Sequence, residues 1–444
     1  MDARDAGSLP GEQESKSMVA LDPAAASSPA SDWSQLPADL LVSAFVRLDV
    51  LDLLAAGAVC RSWRVNHRAA LRLGRHGRKN QSPCLLYASG DHSPSEATLR
   101  SLSTGRLCRI GLPDPPLRRR FVVGCSHGWL ATADERSHLL LVNPITGAQV
   151  ALPPPLTMKN VRGRYTTEAI LEGYHVLELD LDARDCNMQA EPFNPTLEDG
   201  SFYFYSRVAM SADPSSGNCI VMIMHVPGNY LSFARVGDTH WTWIDIDEKC
   251  CLYHDMFYND DDGLFYAIRN FGEVHTIDLN GPSPVMKVIL KCPVRSDYRK
   301  YIVQAPWGDI LHVWRHERRI KGAEYRAAKL KVYMMDLAEQ KLVEMKNLQG
   351  HALFIGLNSS FFVSARDYPF LMPNCIYLTD HMYFIHDYRV GSRQLVVFNM
   401  EDGSFTDLFP DSNSWLNGSI PVWIRPSYTH DNRCQHVQIQ SNVS

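Results

Sequence analysis

Two hydrophobic periods divide this chain near residue 84. Between residues 32 and 72, apolar residues recur every three or four positions, as they do along one face of a helix. From residue 84 to 426, short apolar runs alternate with turns that contain Gly, Asn or Asp, which is typical of short β-strands. The pattern therefore predicts a multidomain chain, with a small all-α module followed by a large all-β body.

The first region predicts three short helices. Pro37 suits the start of the first, because the N–H that proline lacks would have no helical partner there. Asp49 is expected to cap the second helix, which should end near Gly57. One apolar stripe marks the first helix: Leu40, Leu41, Ala44, Phe45 and Leu48. The third helix should carry three apolar residues on one side and three arginines on the other: Val59, Cys60 and Trp63, and Arg61, Arg64 and Arg68. About 40 residues cannot bury a full core alone, so these helices need a partner or a docked neighbour domain.

These residues, taken in order, resemble an F-box. Residues 36–64 match its pattern of Leu-Pro-x-Asp-Leu-Leu, then Phe-x-x-Leu, Asp-Leu-Leu and Val-Cys-Arg-Ser-Trp-Arg. The resemblance implies docking on the Skp-type adaptor of a cullin–RING ubiquitin ligase. Five residues would meet that adaptor and four would form or support the same surface: Leu36, Pro37, Leu40, Leu41 and Phe45, and Leu53, Val59, Cys60 and Trp63. Ala44 departs from the family's bulkier aliphatic residue and should weaken docking without abolishing it. The alternative is an ordinary helical hairpin that closes one end of the β-rich body.

The β-rich body contains a repeated strand–turn–strand module. Residues 139–147 and 395–403 are its clearest copies, and glycine-bearing hairpins lie upstream. Linked hairpins at intervals of about 40 to 60 residues predict four-stranded propeller blades. Six blades are expected, at residues 84–113, 120–154, 202–246, 255–290, 299–348 and 351–410. A seventh blade is left open. The first is one strand short, and residues 421–425 could supply that strand and close the ring. A pair of β-sandwiches is the competing architecture.

The body also resembles the plant KIB-type β-propeller family, which is commonly found behind an F-box. The matching segments lie mainly towards its two ends: 125–130, 141–147, 352–356, 373–377, 397–403 and 421–423. The resemblance covers nearly all of residues 84–426 and implies a propeller and a plant source. It implies no particular substrate.

Composition and charge restrict the classes of function. A net charge of −5 over 444 residues gives no reason to expect nucleic acid or a membrane surface as a partner. The chain starts without a secretory pattern, and no window approaches the roughly 18 apolar residues of a membrane helix. The 11 cysteines include no Cys-x-x-Cys pair, which favours a reduced compartment, the cytoplasm or the nucleus. Expected boundaries are a disordered lead-in at 1–31, the F-box at 32–72, a basic linker at 73–83, the propeller at 84–426 and a tail at 427–444.

Several motifs suggest chemistry but have simpler interpretations. Residues 124–128 match the Gly-x-Ser-x-Gly elbow of hydrolases around Ser126, yet the residues that follow predict a strand where the elbow requires a helix. Residues 259–263 resemble a calcium loop, but the ligand spacing fails and a solvated turn is expected. We therefore expect no catalytic residue, metal or cofactor. Two basic stretches, 67–79 and 315–331, and the long insert 157–199 are the candidates for contact with a partner or target.

Taken together, the sequence predicts a non-catalytic substrate-recognition adaptor of an SCF (Skp–cullin–F-box) E3 ubiquitin ligase. The F-box would bind the Skp-type adaptor and, through it, cullin, while the propeller would bind an unknown target protein. One alternative is an F-box and propeller interaction protein that acts outside the ligase. A propeller enzyme is the other, and it would need a cluster of polar residues in the central channel.

Overall fold

The computed structural model describes residues 33–73, 81–88, 95–177, 194–197, 204–226, 229–245, 253–291, 298–321, 324–379, 395–409 and 421–428. The predicted lead-in and most of the predicted linker and tail lie outside these residues. Three helices come first: α1 (Ala38–Phe45), α2 (Val50–Val59) and α3 (Arg61–Arg72). They confirm the predicted small all-α module.

The helix boundaries differ in part from the prediction. Asp49 caps α2 as expected, since its Oδ1 accepts a hydrogen bond from the Asp52 N–H at 2.9 Å. However, α2 continues past Gly57 to Val59. A Cβ at Gly57 would lie only 2.8 Å from the ring of His67 on α3, so this glycine permits close helix packing instead of ending the helix. Val59 therefore belongs to α2, and Cys60 precedes α3 as its N-cap, not as part of its apolar side.

The rest of the described chain forms six β-sheets of four or five strands and one separate hairpin. Blade 1 contains β1 (Cys84–Tyr87), β2 (Glu96–Ser101) and β3 (Leu107–Gly111). Blade 2 contains β4 (Phe121–Ser126), β5 (Trp129–Ala133), β6 (Leu139–Val142) and β7 (Gln149–Ala151). The hairpin β8 (Val161–Tyr165) and β9 (Leu171–Val176) follows. Blade 3 contains β10 (Tyr205–Met210), β11 (Ile220–His225), β12 (Tyr230–Arg235) and β13 (Thr242–Trp243).

The remaining strands complete the ring. Blade 4 contains β14 (Tyr253–Asn259), β15 (Leu264–Arg269), β16 (Val274–Asp278) and β17 (Val285–Leu290). Blade 5 contains β18 (Arg299–Gln304), β19 (Ile310–Lys321), β20 (Glu324–Asp336) and β21 (Lys341–Glu344). Blade 6 contains β22 (His351–Ile355), β23 (Phe361–Ser364), β24 (Cys375–Thr379), β25 (Leu395–Asn399) and β26 (Phe405–Asp407). The last strand, β27 (Val422–Ile424), returns to blade 1. The six-bladed propeller is confirmed.

Ring closure uses the strand that the sequence predicts. β27 pairs antiparallel with β1, with Cys84 opposite Ile424 and Leu86 opposite Val422. Trp423 lies fully buried against blade 6, where its ring meets that of Phe354 edge-on at 5.2 Å. A strand from the C-terminal end thus completes the blade that begins the propeller, and it leaves no open edge between blades 6 and 1.

An apolar cluster fills each of the six interfaces between neighbouring blades. The cluster between blades 2 and 3 includes Trp129, Leu141 and Val221, and the one between blades 5 and 6 includes Val313, Leu353 and Ile376. The core is therefore a ring of sheet-to-sheet contacts and not one central cluster, as expected for radially repeated sheets.

Blade 6 departs from the predicted pair of linked hairpins. Its β22 and β24 run parallel, and β23 pairs on the other side of β22. The segment 356–359, which joins β22 to β23, contacts blade 2. There Ser359 N–H donates to the Cys125 carbonyl at 2.7 Å, and Leu357 O lies 3.3 Å from where a Cβ of Gly124 would stand. The segment between β22 and β23 thus links blade 6 directly to the first strand of blade 2.

Candidate functional site

The nine residues that the F-box pattern marks are placed at three depths. Leu41, Phe45 and Leu53 lie in the core of the helical module, with Leu41 and Phe45 each 2% exposed. Three residues are half-buried: Leu36, Cys60 and Trp63. Pro37, Leu40 and Val59 face outward, and Leu40 and Val59 are 56% and 64% exposed.

Helix α1 thus has two apolar faces. Leu41 and Phe45, four residues apart, point into the core of the helical module. Pro37, Leu40 and Ala44 follow one another at helical spacing on the exposed side. These side chains belong to none of the apolar clusters of the described chain, so they form a surface available to another protein.

Trp63 links this surface to the turn before α1. Its ring meets Phe45 edge-on, with centroids 5.4 Å apart, and its Nε1 donates to the Trp33 carbonyl at 3.0 Å. The Trp33 side chain is itself 64% exposed. The two tryptophans therefore hold the entry of α1 against α3 and extend the exposed apolar area.

The helical module, which we call the hook, is fixed to the propeller. Val50 and Leu51 on α2 are buried in the cluster between blades 1 and 2. The Val50 N–H donates to Gln81 Oε1 at 2.6 Å, and Asp52 pairs with Arg106 at 3.1 Å. A cavity of about 600 Å³ beside this junction is lined by both parts, including residues 46–49. Burial in this region raises the pKa of Asp49.

Strand direction defines two faces of the propeller. The hook contacts blade 1 at the start of β1, at the turn between β2 and β3, and just after β27, where Tyr428 packs against the hook core. Neighbouring strands of blades 2 to 5 are antiparallel, so alternate turns of a blade lie on opposite sides of the propeller. The turn between the first and second strands and the turn between the third and fourth strands lie on the side of the hook. We call it the hook face. The distal face carries the turns between second and third strands and the connections between blades.

A cluster of buried charges that the sequence pattern does not predict lies at the distal ends of the inner strands. Arg207 is 2% exposed; its Nη1 donates to the Gly356 carbonyl, and its Nε lies 3.3 Å from Asp255 Oδ1. Lys300 is fully buried and donates to the Tyr298 carbonyl at 3.0 Å. These residues stand near the starts of β10, β14 and β18, the first strands of three consecutive blades. A charged pair such as Arg299-Lys300 at the start of an apolar strand is the sequence signal that could have found them.

Electrostatics of this cluster favour uncharged histidines. Burial, together with Lys300, Arg299 and Arg207, lowers the pKa of His254 to about 3. Burial and Lys300 lower the pKa of His312 to about 3 as well. For Asp255, the desolvation that raises its pKa outweighs the opposing effect of Arg207.

Arg315 corrects one expectation about the basic stretch 315–331. It is fully buried, 3.2 Å from Glu317 and 3.4 Å from the Tyr301 hydroxyl. It pairs in register with Arg299, so it belongs to the body of blade 5 and not to an exposed loop. The stretch beyond it does form the predicted elongated hairpin, since β19 and β20 continue together to residues 321 and 324.

The insert 157–199 contains more structure than the predicted loop. Its described part includes the hairpin β8–β9, and the Tyr174 hydroxyl donates to the Arg136 carbonyl in the β5–β6 turn at 2.5 Å. Asn160 donates to the Val226 carbonyl at the β11–β12 turn at 3.2 Å. Both turns lie on the distal face, so the hairpin is anchored there. Residues 178–193 and 198–199 lie outside the described residues.

Comparison with known proteins agrees with this architecture. The family model for the KIB1-4 beta-propeller matches residues 99–399, and the F-box-like model matches residues 33–66. The chain belongs to the KIB1-4 beta-propeller family. The putative F-box protein At5g55150 of Arabidopsis thaliana is 22% identical over 90% of this chain and 98% of its own length. F-box protein SKIP23 of Arabidopsis thaliana is 25% identical, covering 84% of this chain and 90% of its own. An oligogalacturonate lyase structure covers 74% of each chain at 14% identity with a TM-score of 0.32, which is too low to carry any argument.

Within this KIB1-4 propeller, the hydrolase-like motif is a blade turn. Ser126 ends β4, is buried, and its Oγ lies 2.9 Å from His127 Nδ1. The following residues form strand β5, as predicted, and not the helix that an elbow requires. Gly128 has a φ of +77°, and a Cβ there would lie 2.6 Å from Ser427, so the turn needs glycine.

The acidic segment 259–263 is also a turn, as predicted. It joins β14 to β15, and Asp262 accepts hydrogen bonds from the Leu264 N–H at 3.0 Å and from the Tyr266 hydroxyl at 2.5 Å. Across the described parts of the chain, no three His, Cys, Asp or Glu side chains are grouped as a metal site would require. In the same residues, no helix combines the length and the apolar character needed to cross a bilayer.

Proposed function

We propose that this chain is the substrate-recognition subunit of an SCF-type E3 ubiquitin ligase. Its F-box would bind a Skp-type adaptor, and through it cullin, while the propeller would hold the target protein. The observation that carries the proposal is the second, exposed apolar face of α1, located in a segment that matches the F-box-like model. The Arabidopsis relatives named above are F-box proteins over nearly the same length.

Burial of the nine predicted docking residues supports a proposed division of roles among them. Pro37, Leu40 and Val59 would contact the adaptor directly, because their side chains are exposed. Leu41, Phe45 and Leu53 would act from inside, because their burial fixes the direction of α1 relative to α2 and α3. The half-buried residues would do both: Leu36, Cys60 and Trp63.

Such a subunit performs no bond chemistry of its own. A conjugating enzyme elsewhere in the complex would supply activated ubiquitin, and this chain would raise the effective concentration of the target next to it. We therefore expect a non-catalytic protein without a cofactor, which works in the cytoplasm or nucleus. Six of its described cysteines are free, as a reduced compartment favours.

The deciding experiment is adaptor binding by Leu40→Asp, with Leu337→Asp as the matched control. Both leucines are exposed, but Leu337 lies in the turn between β20 and β21 of blade 5, outside the helical module. A carboxylate on a desolvated docking face should cost about 2 kcal/mol or more, so we expect at least about a thirtyfold loss for Leu40→Asp. Leu337→Asp should bind a plant Skp-type adaptor as the wild type does.

Titration calorimetry with the purified adaptor gives this comparison directly. A wild-type chain that does not bind the adaptor would refute the proposal, and so would equal losses in the two variants. Adding cullin to the adaptor complex tests the second half of the proposal. An adaptor complex that fails to recruit cullin would instead indicate an F-box protein that acts outside the ligase.

A further inference from the structure

The cavity between the hook and the propeller is large enough for a small molecule. Its volume is about 600 Å³, and small-molecule sites in proteins have volumes of about 300 to 1,000 Å³. Residues 46–49, between α1 and α2, line it from the hook. Four residues line it from blades 1 and 6, and all of them belong to the described chain: Gln81, Ser82, Ser103 and Tyr368.

Gln81 brings an unused amide group to this cavity. The residue is 2% exposed, and its Oε1 accepts a hydrogen bond from the Val50 N–H at 2.6 Å. Its backbone carbonyl accepts a hydrogen bond from Arg425 Nε at 3.2 Å. Within the described residues, the Gln81 Nε2 makes no hydrogen bond. Because an unpaired donor in a buried side chain costs free energy, this amide favours a ligand atom that accepts a hydrogen bond.

Other polar groups of the lining are donors too. Arg47 is exposed and has no ion pair within the described chain. Ser82 is 4% exposed, and its hydroxyl makes only a long contact of 3.5 Å to the Pro83 carbonyl. The phenol of Tyr368 adds a further hydroxyl. The cavity therefore has N–H and O–H groups available to a ligand that is rich in acceptors.

Asp49 is the acidic residue of the lining, but its carboxylate is already engaged. Its Oδ1 accepts a hydrogen bond from the Asp52 N–H at 2.9 Å and caps α2. Burial raises the pKa of this carboxyl group. Asp49 therefore serves the helix, whereas the positive charge of Arg47 is left for a ligand.

Apolar side chains complete the lining. Val46 and Leu48 are half-buried at the cavity. Tyr368 packs against the cluster between blades 6 and 1, and its ring centroid lies 5.8 Å from that of Phe370. Apolar walls that carry a few polar groups are typical of sites for small organic molecules.

We propose that the cavity between the hook and the propeller binds a small organic acid with an aromatic or aliphatic body. The carboxylate would accept hydrogen bonds from Arg47 and Gln81, and the body would contact the apolar walls. A carboxylate is favoured over a neutral carbonyl, because hydrogen bonds between two charged groups are about twice as strong as neutral ones. The inference goes beyond the ligase role and does not depend on it, since Leu40 does not line the cavity.

The test is a fluorine NMR titration of the full chain with three probes that share one body. They are 3-(4-fluorophenyl)propionate, its primary amide, and 3-(4-fluorophenyl)propylamine. We expect the acid to bind with a Kd of about 1 mM, as suits a probe of this size, and the amide to bind about tenfold more weakly. Equal binding of the acid and the amide would overturn the inference, and so would tighter binding of the amine or no binding of the acid.

Arg47→Gln tests whether the guanidinium recognises the carboxylate. This variant should bind the acid about tenfold more weakly and the amide within about twofold of the wild type. Lys341→Gln is the matched control, because it removes an exposed positive charge from blade 5, outside the cavity. Equal weakening of both probes by Arg47→Gln would contradict a charge contact, and so would the same loss of acid binding in Lys341→Gln.

Ser103→Trp tests the location by filling the cavity. Ser103 lies in the turn between β2 and β3, and Ser404→Trp makes the same change in the exposed turn between β25 and β26. Thermal melts should show that both variants are folded. The acid should no longer bind Ser103→Trp and should bind Ser404→Trp as it binds the wild type. Wild-type acid binding by a folded Ser103→Trp variant would place the ligand elsewhere and refute the inference.

The proposed function and this inference fail separately. Leu40→Asp should lose the adaptor and still bind the acid. A wild-type chain that binds the adaptor but not the acid would refute only the inference. A chain that binds the acid in this cavity but not the adaptor would refute only the ligase role.

Discussion

At the scale of single residues, three histidines with lowered pKa values make the free energy of unfolding depend on pH. Burial lowers the pKa of His225 to about 4 and of His254 and His312 to about 3, from an ordinary value of 6.5. Between the lowered pKa and 6.5, the unfolded chain binds more protons than the folded chain. The free energy of unfolding is therefore at its full value above pH 6.5 and decreases as the pH falls towards 4. Each histidine contributes up to about 1.4 kcal/mol per pH unit in that window. The raised pKa of Asp255 opposes this loss only near its lower end.

His312→Phe should reduce that pH dependence without lowering stability at pH above 7. Both ring nitrogens of His312 are buried and find no hydrogen-bond partner in the described chain, so the apolar ring removes two unsatisfied groups. Thermal melts at a series of pH values should show a shallower fall of the melting temperature than in the wild type. An unchanged pH profile would contradict the assignment of a neutral, buried His312.

His225→Phe is the matched comparison. Its ring contacts the Ser232 hydroxyl at 2.9 Å and the Val226 carbonyl at 3.1 Å, so the same substitution breaks two hydrogen bonds. We expect a loss of about 1 to 3 kcal/mol at pH above 7, measured as a lower melting temperature. If His225→Phe and His312→Phe had equal melting temperatures above pH 7, the hydrogen bonds of His225 would contribute no net stability.

Gly57→Ala tests the contact between α2 and α3. Helix propensity alone would make this change stabilising by about 1 kcal/mol. Because the new Cβ would lie 2.8 Å from the His67 ring, we expect destabilised helices instead, seen as faster amide hydrogen exchange in α2. The double variant Gly57→Ala/His67→Ala removes the clash and should restore slow exchange. Slower exchange in the single variant would show that the helices can separate freely.

At the scale of elements, β27 decides whether the ring closes. Trp423→Ala should lower the free energy of unfolding by about 3 to 5 kcal/mol. The Trp423 side chain is fully buried between aromatic side chains of blade 6 and apolar side chains of β1. Trp33→Ala is the control, since its side chain is 64% exposed and only its carbonyl accepts a hydrogen bond from Trp63. Thermal unfolding should show a large decrease in melting temperature for the first variant and little change for the second. Similar melting temperatures for the two variants would mean that closure through β27 contributes little.

The sequence predicts well those elements that depend only on nearby residues. Turn residues and apolar runs predict the strands of six blades, and an apolar strand near the C-terminal end predicts closure by β27. The parallel pairing of β22 with β24 could not be predicted, because local turn signals do not show that β23 pairs on the other side of β22. Similarly, Leu40 and Leu41 are neighbours within one apolar stripe, and only the packing of α3 decides that one faces outward and the other inward.

At the scale of the whole molecule, the hook and the propeller behave as one body. Val50 and Leu51 are part of the cluster between blades 1 and 2, and the Gln81 side chain binds the first amide of α2. Short helices that pack against a neighbouring domain are stabilised by that contact, whereas an isolated short helical segment is not. In the proposed function, this packing would hold an adaptor bound to α1 at a constant orientation relative to the propeller.

Gln81→Ala should loosen this connection. The variant leaves the Val50 N–H buried without its acceptor, which costs about 1 to 3 kcal/mol. We expect amide exchange to quicken in α2, while blades 4 and 5, whose described apolar clusters contain no hook residue, keep wild-type protection. Gln304→Ala is the control, because it breaks a side-chain hydrogen bond to Asp261 on the propeller surface. If α2 of the wild type already exchanged far faster than β1, the hook would move independently of the propeller, and the view that the two form one rigid body would be wrong.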